Sequence, residues 1–542
     1  MPLRLPHFLI AASALALVGT PALAADKVET AAPGPDVIFK EGQVESAGTV
    51  TVKGQAIGYT AVSGTIVVHP DGWDDTAWRE RAARDPGKPT DARPEPDAEA
   101  SMFYVAYFKK GAPAANRPIT FLFNGGPGSA TVWLHMGAFG PRRVLTRDDS
   151  HTPAAPYTLV DNNASLLDAS DLVFIDAPGT GFSRIAGKDK EKAFWGMDAD
   201  AHAFASFIQA FLTRHDRWNS PKYLFGESYG TPRAAMIAAR LTTDSSVDLN
   251  GVILLSQILN FNLSADGASL NPGTDQPYIT ALPTYAATAW YHNRLPGTRP
   301  AELEPFLKEV EAFASGDYAS ALQQGSLLDP AKKRAIAERI AGYIGLPVDY
   351  ILKSDLRVEG GQFTQQLQIG SALTTGRLDT RFSGPAIDVL NKEADYDPQS
   401  AAISSAYVSV FNAYVRDTLH YGQGETYKPE APVGAFWSFD HRPPGQTDPV
   451  RGTANVMPDL ATAMKFNPQM KVLVAGGYFD LATPYYEGWY EMHHLQIPDS
   501  LQGNIAFRYF RSGHMVYANA DALHQLHDAV AGFIAQTDNL PR

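Results

Sequence analysis

The stretch Lys222-Tyr223-Leu224-Phe225-Gly226-Glu227-Ser228-Tyr229-Gly230-Thr231-Pro232 decides how this chain is read. A short apolar strand pattern meets a Gly-x-Ser-x-Gly turn, and residues 234–241 continue with helical patterning. A turn this sharp forces the serine into a strained backbone conformation, and the flanking glycines let neighbouring strands and the helix approach. The Ser228 hydroxyl is then expected at the carboxyl edge of a sheet. Beside it, the first turn of the helix offers unpaired N–H groups that favour developing negative charge. Pro232 suits that turn, where its missing donor costs nothing. The frame marks Ser228 as a nucleophile, against the plainer reading of an ordinary strand-to-helix turn.

Working outward, residues 102–108, 119–123, 172–175 and 252–255 also read as strands, and residues 201–212 as a helix with Phe204, Phe207, Ile208 and Phe211 at helical spacing. Strands alternating with helices imply an α/β chain with a mostly parallel sheet covered on both faces. Upstream, residues 49–68 alternate β-branched with small or polar residues and read as two or three short strands. Residues 70–99 hold five prolines among Asp and Arg and read as a surface loop or tether. From about residue 262 the apolar periodicity turns helical without strands, over 285–291, 303–313, 331–344 and 401–415. This predicts a helical insertion. Strand patterns return at 472–474 and 505–509, and residues 522–534 close as a helix.

The whole chain has 542 residues, 45 Lys plus Arg, 58 Asp plus Glu and no cysteine. That composition excludes a collagen, a disordered tail, a disulfide scaffold and any thiolate chemistry. Arg4, the apolar run 8–18 and Ala22-Leu23-Ala24 read as a secretory signal peptide over residues 1–24, so a secreted or periplasmic location is expected. Cleavage after Ala24 removes one positive charge and leaves a net charge of −14. An acidic chain argues against nucleic acid or an anionic membrane as partner.

A serine nucleophile needs a general base and an orienting carboxylate, which on this architecture follow it in the order acid, then histidine. His514 sits in Arg511-Ser512-Gly513-His514-Met515-Val516, in a Gly-containing loop just after the last strand pattern. His493, His494, His524 and His527 fall on helical stretches and read as surface or core residues. Asp480 follows residues 471–479 at the exit of a buried strand, with an N-cap as its plainer role. Asp176 competes for the acid role but precedes the serine, so Asp480 is preferred. Residues 119–123 end in Asn124-Gly125-Gly126-Pro127-Gly128-Ser129, whose backbone N–H groups suit the oxyanion of acyl transfer. No Gly-Lys-Ser/Thr follows to make it a phosphate cradle.

These blocks, with Phe174-Ile175-Asp176-Ala177-Pro178-Gly179-Thr180-Gly181-Phe182-Ser183 and Gly477-Tyr478-Phe479-Asp480, resemble the serine carboxypeptidase family over roughly residues 100–535. The resemblance implies an α/β-hydrolase fold with a helical cap, and serine-type removal of C-terminal amino acids from peptides with a free C-terminus. It implies Ser228, Asp480 and His514 as the triad, with the N–H groups of Gly126 and Tyr229 as oxyanion hole. It also implies that Asn124, Gly125 and Glu227 hold the substrate carboxylate, with no cofactor. Glu227 suits that role only when protonated, because two charged carboxylates repel. Three features depart from the family: Ala138 stands where a second Glu is usual, Leu122 where a Trp is common, and disulfides are absent.

The expected organisation is a leader over 1–24 and an N-terminal extension over 25–100. A first core segment spans 101–261, a cap 262–400 and a second core segment 401–542. An esterase or acyltransferase with the same triad is the alternative activity, and a silent peptide-binding protein the alternative outside enzymes.

Overall fold

The computed structural model describes residues 38–74, 76, 97–452 and 454–541. The leader and most of the Pro-rich stretch 70–99 lie outside the described residues.

The sheet is built from nine strands in chain order: β1 (Gln43–Val52), β2 (Gln55–Val68), β3 (Glu99–Lys109), β4 (Ile119–Phe123), β5 (Asp171–Ile175), β6 (Lys222–Glu227), β7 (Gly251–Leu255), β8 (Lys471–Gly477) and β9 (Ile505–Phe510). They lie in the order β1-β2-β3-β5-β4-β6-β7-β8-β9, and the short strand Arg184–Ala186 pairs with β3 as a tenth member. Pairing is antiparallel from β1 through β3 to β5 and parallel from β5 to β9. This is the mostly parallel sheet of an α/β-hydrolase fold.

Alternation along each strand explains why both faces are covered. Phe121, Leu224, Val252 and Val472 align across four strands and face one apolar cluster. Their neighbours Leu122, Phe225, Ile253 and Leu473 face the other. The first cluster is completed by α1 (Met197–Arg214), α2 (Gly230–Asp244) and a helix over Met457–Phe466. Phe204, Phe207, Ile208 and Phe211 are the buried face of α1, as their spacing predicts. The second cluster takes residues from helices Pro398–Asp417 and Ala520–Thr537.

Two local expectations change. Residues 49–68 do not form short separate strands: β1 and β2 are ten and fourteen residues long, joined by a two-residue Lys53-Gly54 turn with φ of 49° and 79°. Positive φ at both turn residues matches the twist of a hairpin, and ten residue pairs with β3 sustain the length of β2. The helical insertion also contains a small hairpin, Leu373–Thr375 with Ser383–Pro385. Otherwise the four predicted helical stretches fall within α3 (Gln276–Tyr291), α4 (Leu303–Phe313), α5 (Pro330–Ile344) and α6 (Pro398–Asp417). The first three of these share a third apolar cluster with Phe479, Leu481 and Tyr485, which follow β8.

At the amino ends of the parallel strands a buried charge cluster closes the sheet. Asp171 accepts from Arg117 Nε at 3.1 Å and Arg217 Nη1 at 2.7 Å, and Arg217 also reaches the Arg117 carbonyl at 2.7 Å. Breaking such a pair strands a buried charge, so Arg217→Met is expected to cost about 3 kcal/mol of stability. A urea unfolding midpoint equal to that of the wild type would contradict this.

Candidate active site

Because β4, β6, β7 and β8 run parallel and in register, the segments that leave their carboxyl ends emerge along one edge. Asn124 follows β4, Ser228 follows β6, Ser256 follows β7 and Asp480 lies three residues beyond β8. Ser228 has φ 60°, the left-handed region that costs a non-glycine residue about 1–3 kcal/mol. Three bonds offset that strain: its N–H donates to Leu255 O at 3.0 Å, and its carbonyl accepts from the N–H and the hydroxyl of Thr231, each at 2.8 Å. Gly226 is required here, since a Cβ on it would lie 1.9 Å from Gly230 O.

His514 and Asp480, 34 residues apart in the chain, meet with Nδ1 2.8 Å from Asp480 Oδ2. With Nδ1–H given to the carboxylate, Nε2 keeps its lone pair and can act as a base. Burial pushes the His514 pKa down, but the charge and hydrogen bond of Asp480 outweigh it and leave it above 6.5. Asp480 is fully buried. Its Oδ1 accepts the amides of Ala482 and Thr483, and its Oδ2 also accepts the Thr483 hydroxyl at 2.7 Å. It does not cap the following helix, which starts at Tyr485 after an N-cap at Pro484. Asp176, the competing acid, instead binds the amides of Thr131 and Phe182. Among the helical histidines, His527 is buried against Asp168, whereas His493, His494 and His524 are exposed.

A segment of the insertion straps these loops in place. The Arg377 carbonyl accepts from Leu481 N at 3.1 Å, and the Leu378 carbonyl from His514 N at 2.7 Å. Thr380 N donates to Phe479 O at 2.9 Å, and Arg381, paired with Asp379, reaches Ser512 Oγ. From the sheet side, Ser256 Oγ donates to the His514 carbonyl at 2.7 Å.

Ser228 and His514 line one cavity of about 540 Å³, together with Asn124, Gly125, Gly126, Glu227 and Tyr229. The amides of Gly126 and Tyr229 donate to no acceptor among the described residues and are free to bind an oxyanion. Gly125 separates their two loops. A Cβ there would lie 2.3 Å from Tyr229 N. Arg233, fully buried on α2, braces the same loop by donating to the carbonyls of Asn124 and Pro127 while pairing with Asp200 at 2.6 Å. Glu227 is buried, and its Oε2 accepts Asn124 Nδ2 and the Tyr517 hydroxyl, each at 2.8 Å. Burial raises its pKa to about 7 against the opposing pull of His514 and these two donors.

The sequence reading missed Arg233, Thr483, Ser256 and Tyr517. Only Thr483 carried a local signal, a hydroxyl three residues after an aspartate within reach of its carboxylate.

The serine carboxypeptidase family model matches residues 93–321, which include the Gly-rich turn and Ser228. Over that stretch the chain is similar to the serine carboxypeptidase family. Asp480 and His514 lie beyond the matched residues. Similar relatives include a "Pheromone-processing carboxypeptidase kex1" of Talaromyces marneffei, 31% identical over 25% of this chain and 20% of that one. Another is "Serine carboxypeptidase-like 36" of Arabidopsis thaliana, 28% identical over 31% of this chain and 34% of that one. The chain thus spans about a fifth to a third of the length of these relatives. Among solved structures, a proline iminopeptidase of Mycobacterium smegmatis aligns with 91% of this chain and 99% of its own, at 14% identity and a TM-score of 0.32.

The Gly125 contact gives a direct test of the site. In Gly125→Ala the new methyl must displace the Tyr229 amide, so labelling of Ser228 by a fluorophosphonate is expected to slow about 100-fold. Mass-spectrometric labelling at the wild-type rate would show that this approach is not needed.

Proposed function

We propose that this protein is a serine-type carboxypeptidase that releases C-terminal amino acids from peptides. The observation that carries the reading is one cavity lined by a serine, a carboxylate-paired histidine and a buried glutamic acid beside two loop amides. A catalytic serine and histidine alone would suit any acyl transfer; the buried acid is what selects a substrate ending in a carboxylate.

In this reading His514 Nε2 takes the proton of Ser228 as its Oγ attacks the last peptide carbonyl carbon. The amides of Gly126 and Tyr229 receive the oxyanion. Collapse of the tetrahedral intermediate breaks the C–N bond, and His514 hands the proton to the departing amine. Water, deprotonated by the same imidazole, then attacks the acyl-enzyme and regenerates Ser228. Asp480 holds the imidazole in the required tautomer throughout. Asn124, the Gly125 amide and protonated Glu227 hold the terminal carboxylate of the peptide.

The helical segment 262–400 roofs the cavity and selects among peptides, a role supported by Arg377, Leu378 and Ser400, which line the cavity. A secreted or periplasmic location after cleavage near Ala24 is supported by the pattern of residues 1–24. No helix among the described residues is long and apolar enough to cross a membrane. Ala138, a methyl where a second acid would strengthen the carboxylate site, favours a second reading as an esterase or acyltransferase.

The two readings separate by substrate and pH. Below about pH 7 Glu227 keeps its proton and can donate to a carboxylate; above it, the charged form repels one. On the acidic side His514, raised above 6.5, is protonated and cannot act as base. For a free-acid peptide kcat/KM is therefore expected to be bell-shaped, whereas for an acyl ester only the acidic limb is expected, with no alkaline limb. Near the optimum the free acid is expected to exceed its amidated twin by about 100-fold, the order set by one lost charge-assisted contact. Mass spectrometry showing equal turnover of the two would favour the second reading.

A further inference from the structure

Glu227 is a buried carboxyl whose partners restrict where its proton can sit. Asn124 Oδ1 accepts Leu134 N at 3.1 Å, which settles the orientation of the amide and turns Nδ2 toward Glu227. Tyr517 donates from the other side, 2.8 Å from Oε2 and 3.1 Å from Oε1. Two donors on Oε2 occupy both of its lone pairs. A proton on Glu227 then belongs on Oε1.

We propose that Tyr517 is a positioning residue that, together with Asn124, fixes the proton of Glu227 on Oε1 and so makes this carboxyl a directed donor to a substrate carboxylate. The inference rests on the carboxypeptidase reading and names what makes its carboxylate site work in this chain. Tyr517 is buried three residues after His514, and its ring packs where a Cβ on Gly137 would come within 2.6 Å of it. The next residue, Ala138, brings a methyl rather than an acid, so among the described residues no second carboxyl bonds to Glu227. The titratable groups facing Glu227 are His514 and Asp480 from the catalytic loops, Tyr517, and Tyr407 from α6. Both tyrosines have pKa values raised by burial and stay protonated donors. Tyr517 therefore differs from an acid in that position: it never adds a negative charge that would oppose ionisation of Glu227. Its hydroxyl instead favours the ionised form and sets how far into alkaline pH the proton survives.

Tyr517→Phe removes one hydroxyl and keeps the ring, which gives two effects of opposite sign. Without the second donor the proton can sit on either oxygen, so KM for a free-acid peptide is expected to rise about 10-fold relative to KM for an acyl ester. The lost hydrogen bond to the charged form also moves the alkaline limb of kcat/KM for the free acid up by about one pH unit. A purely structural role would raise both KM values together and leave the limb in place, and either result would overturn the proposal. Glu227→Gln, neutral at every pH, is expected to have no alkaline limb. Infrared difference spectra of wild type and Tyr517→Phe, each against its own Glu227→Gln counterpart, follow the Glu227 carbonyl without substrate. The band is expected to shift and its loss with pH to move to the alkaline side in Tyr517→Phe; an unmoved band and midpoint would overturn the role of Tyr517 whatever the enzyme cleaves. Equal wild-type turnover of free-acid and amidated peptides, with the infrared shift present, would instead sink the carboxypeptidase reading while leaving the proton placement standing.

Discussion

The constraint on which the rest of the molecule depends is the common register of four parallel strands. Phe121, Leu224, Val252 and Val472 form one buried row, and Leu122, Phe225, Ile253 and Leu473 the row beneath it on the opposite face. A slip of one residue in any strand would exchange the two faces of that strand, and both faces are packed against helices. The register therefore cannot drift. Its consequence is chemical, because loops leaving β4, β6, β7 and β8 are delivered to the same edge with the Gly126 and Tyr229 amides, Ser228 and Asp480 on adjacent loops.

Electrostatics at that edge divide two carboxylates of similar burial into different roles. Asp480 is surrounded by donors, namely two amides, a hydroxyl and the His514 ring. Glu227 has two donors, and burial prevails over them, so it retains a proton to about pH 7. His514 stands between the two and responds to both, its protonated form favoured first by Asp480 and then by Glu227. A proton on His514 and a charge on Glu227 thus support each other, which couples the two residues.

Much of this could be read from the residues alone, because the chemistry depends on local turns. The Gly226-Glu227-Ser228-Tyr229-Gly230 turn, the Gly-rich run after residue 123 and the position of His514 after a strand each announce themselves within ten residues. Helical insertion and parallel sheet followed from periodicity. The length of β1 and β2 did not, because it is set by the pairing of β2 with β3 and of β1 with β2, and the hairpin inside the insertion is too short to produce a strand pattern. Arg233 and Tyr517 were invisible for a related reason. Each acts across more than a hundred residues of chain, on the Asn124 carbonyl and the Glu227 carboxyl respectively. Nothing in the neighbourhood of either distinguishes it from an ordinary core residue.

The strap at residues 377–381 changes what the insertion is. Its backbone carbonyls hold the amides of Leu481 and His514, and its side chains reach Ser512, while the apolar core of the insertion includes Phe479 and Leu481. A roof attached in this way is not a modular accessory. Grafting in the cap of another hydrolase, or trimming this one to widen the entrance, would remove acceptors from the very loops that carry Asp480 and His514. Specificity in this scaffold is therefore open to redesign at single lining side chains, but closed to wholesale exchange of its lid.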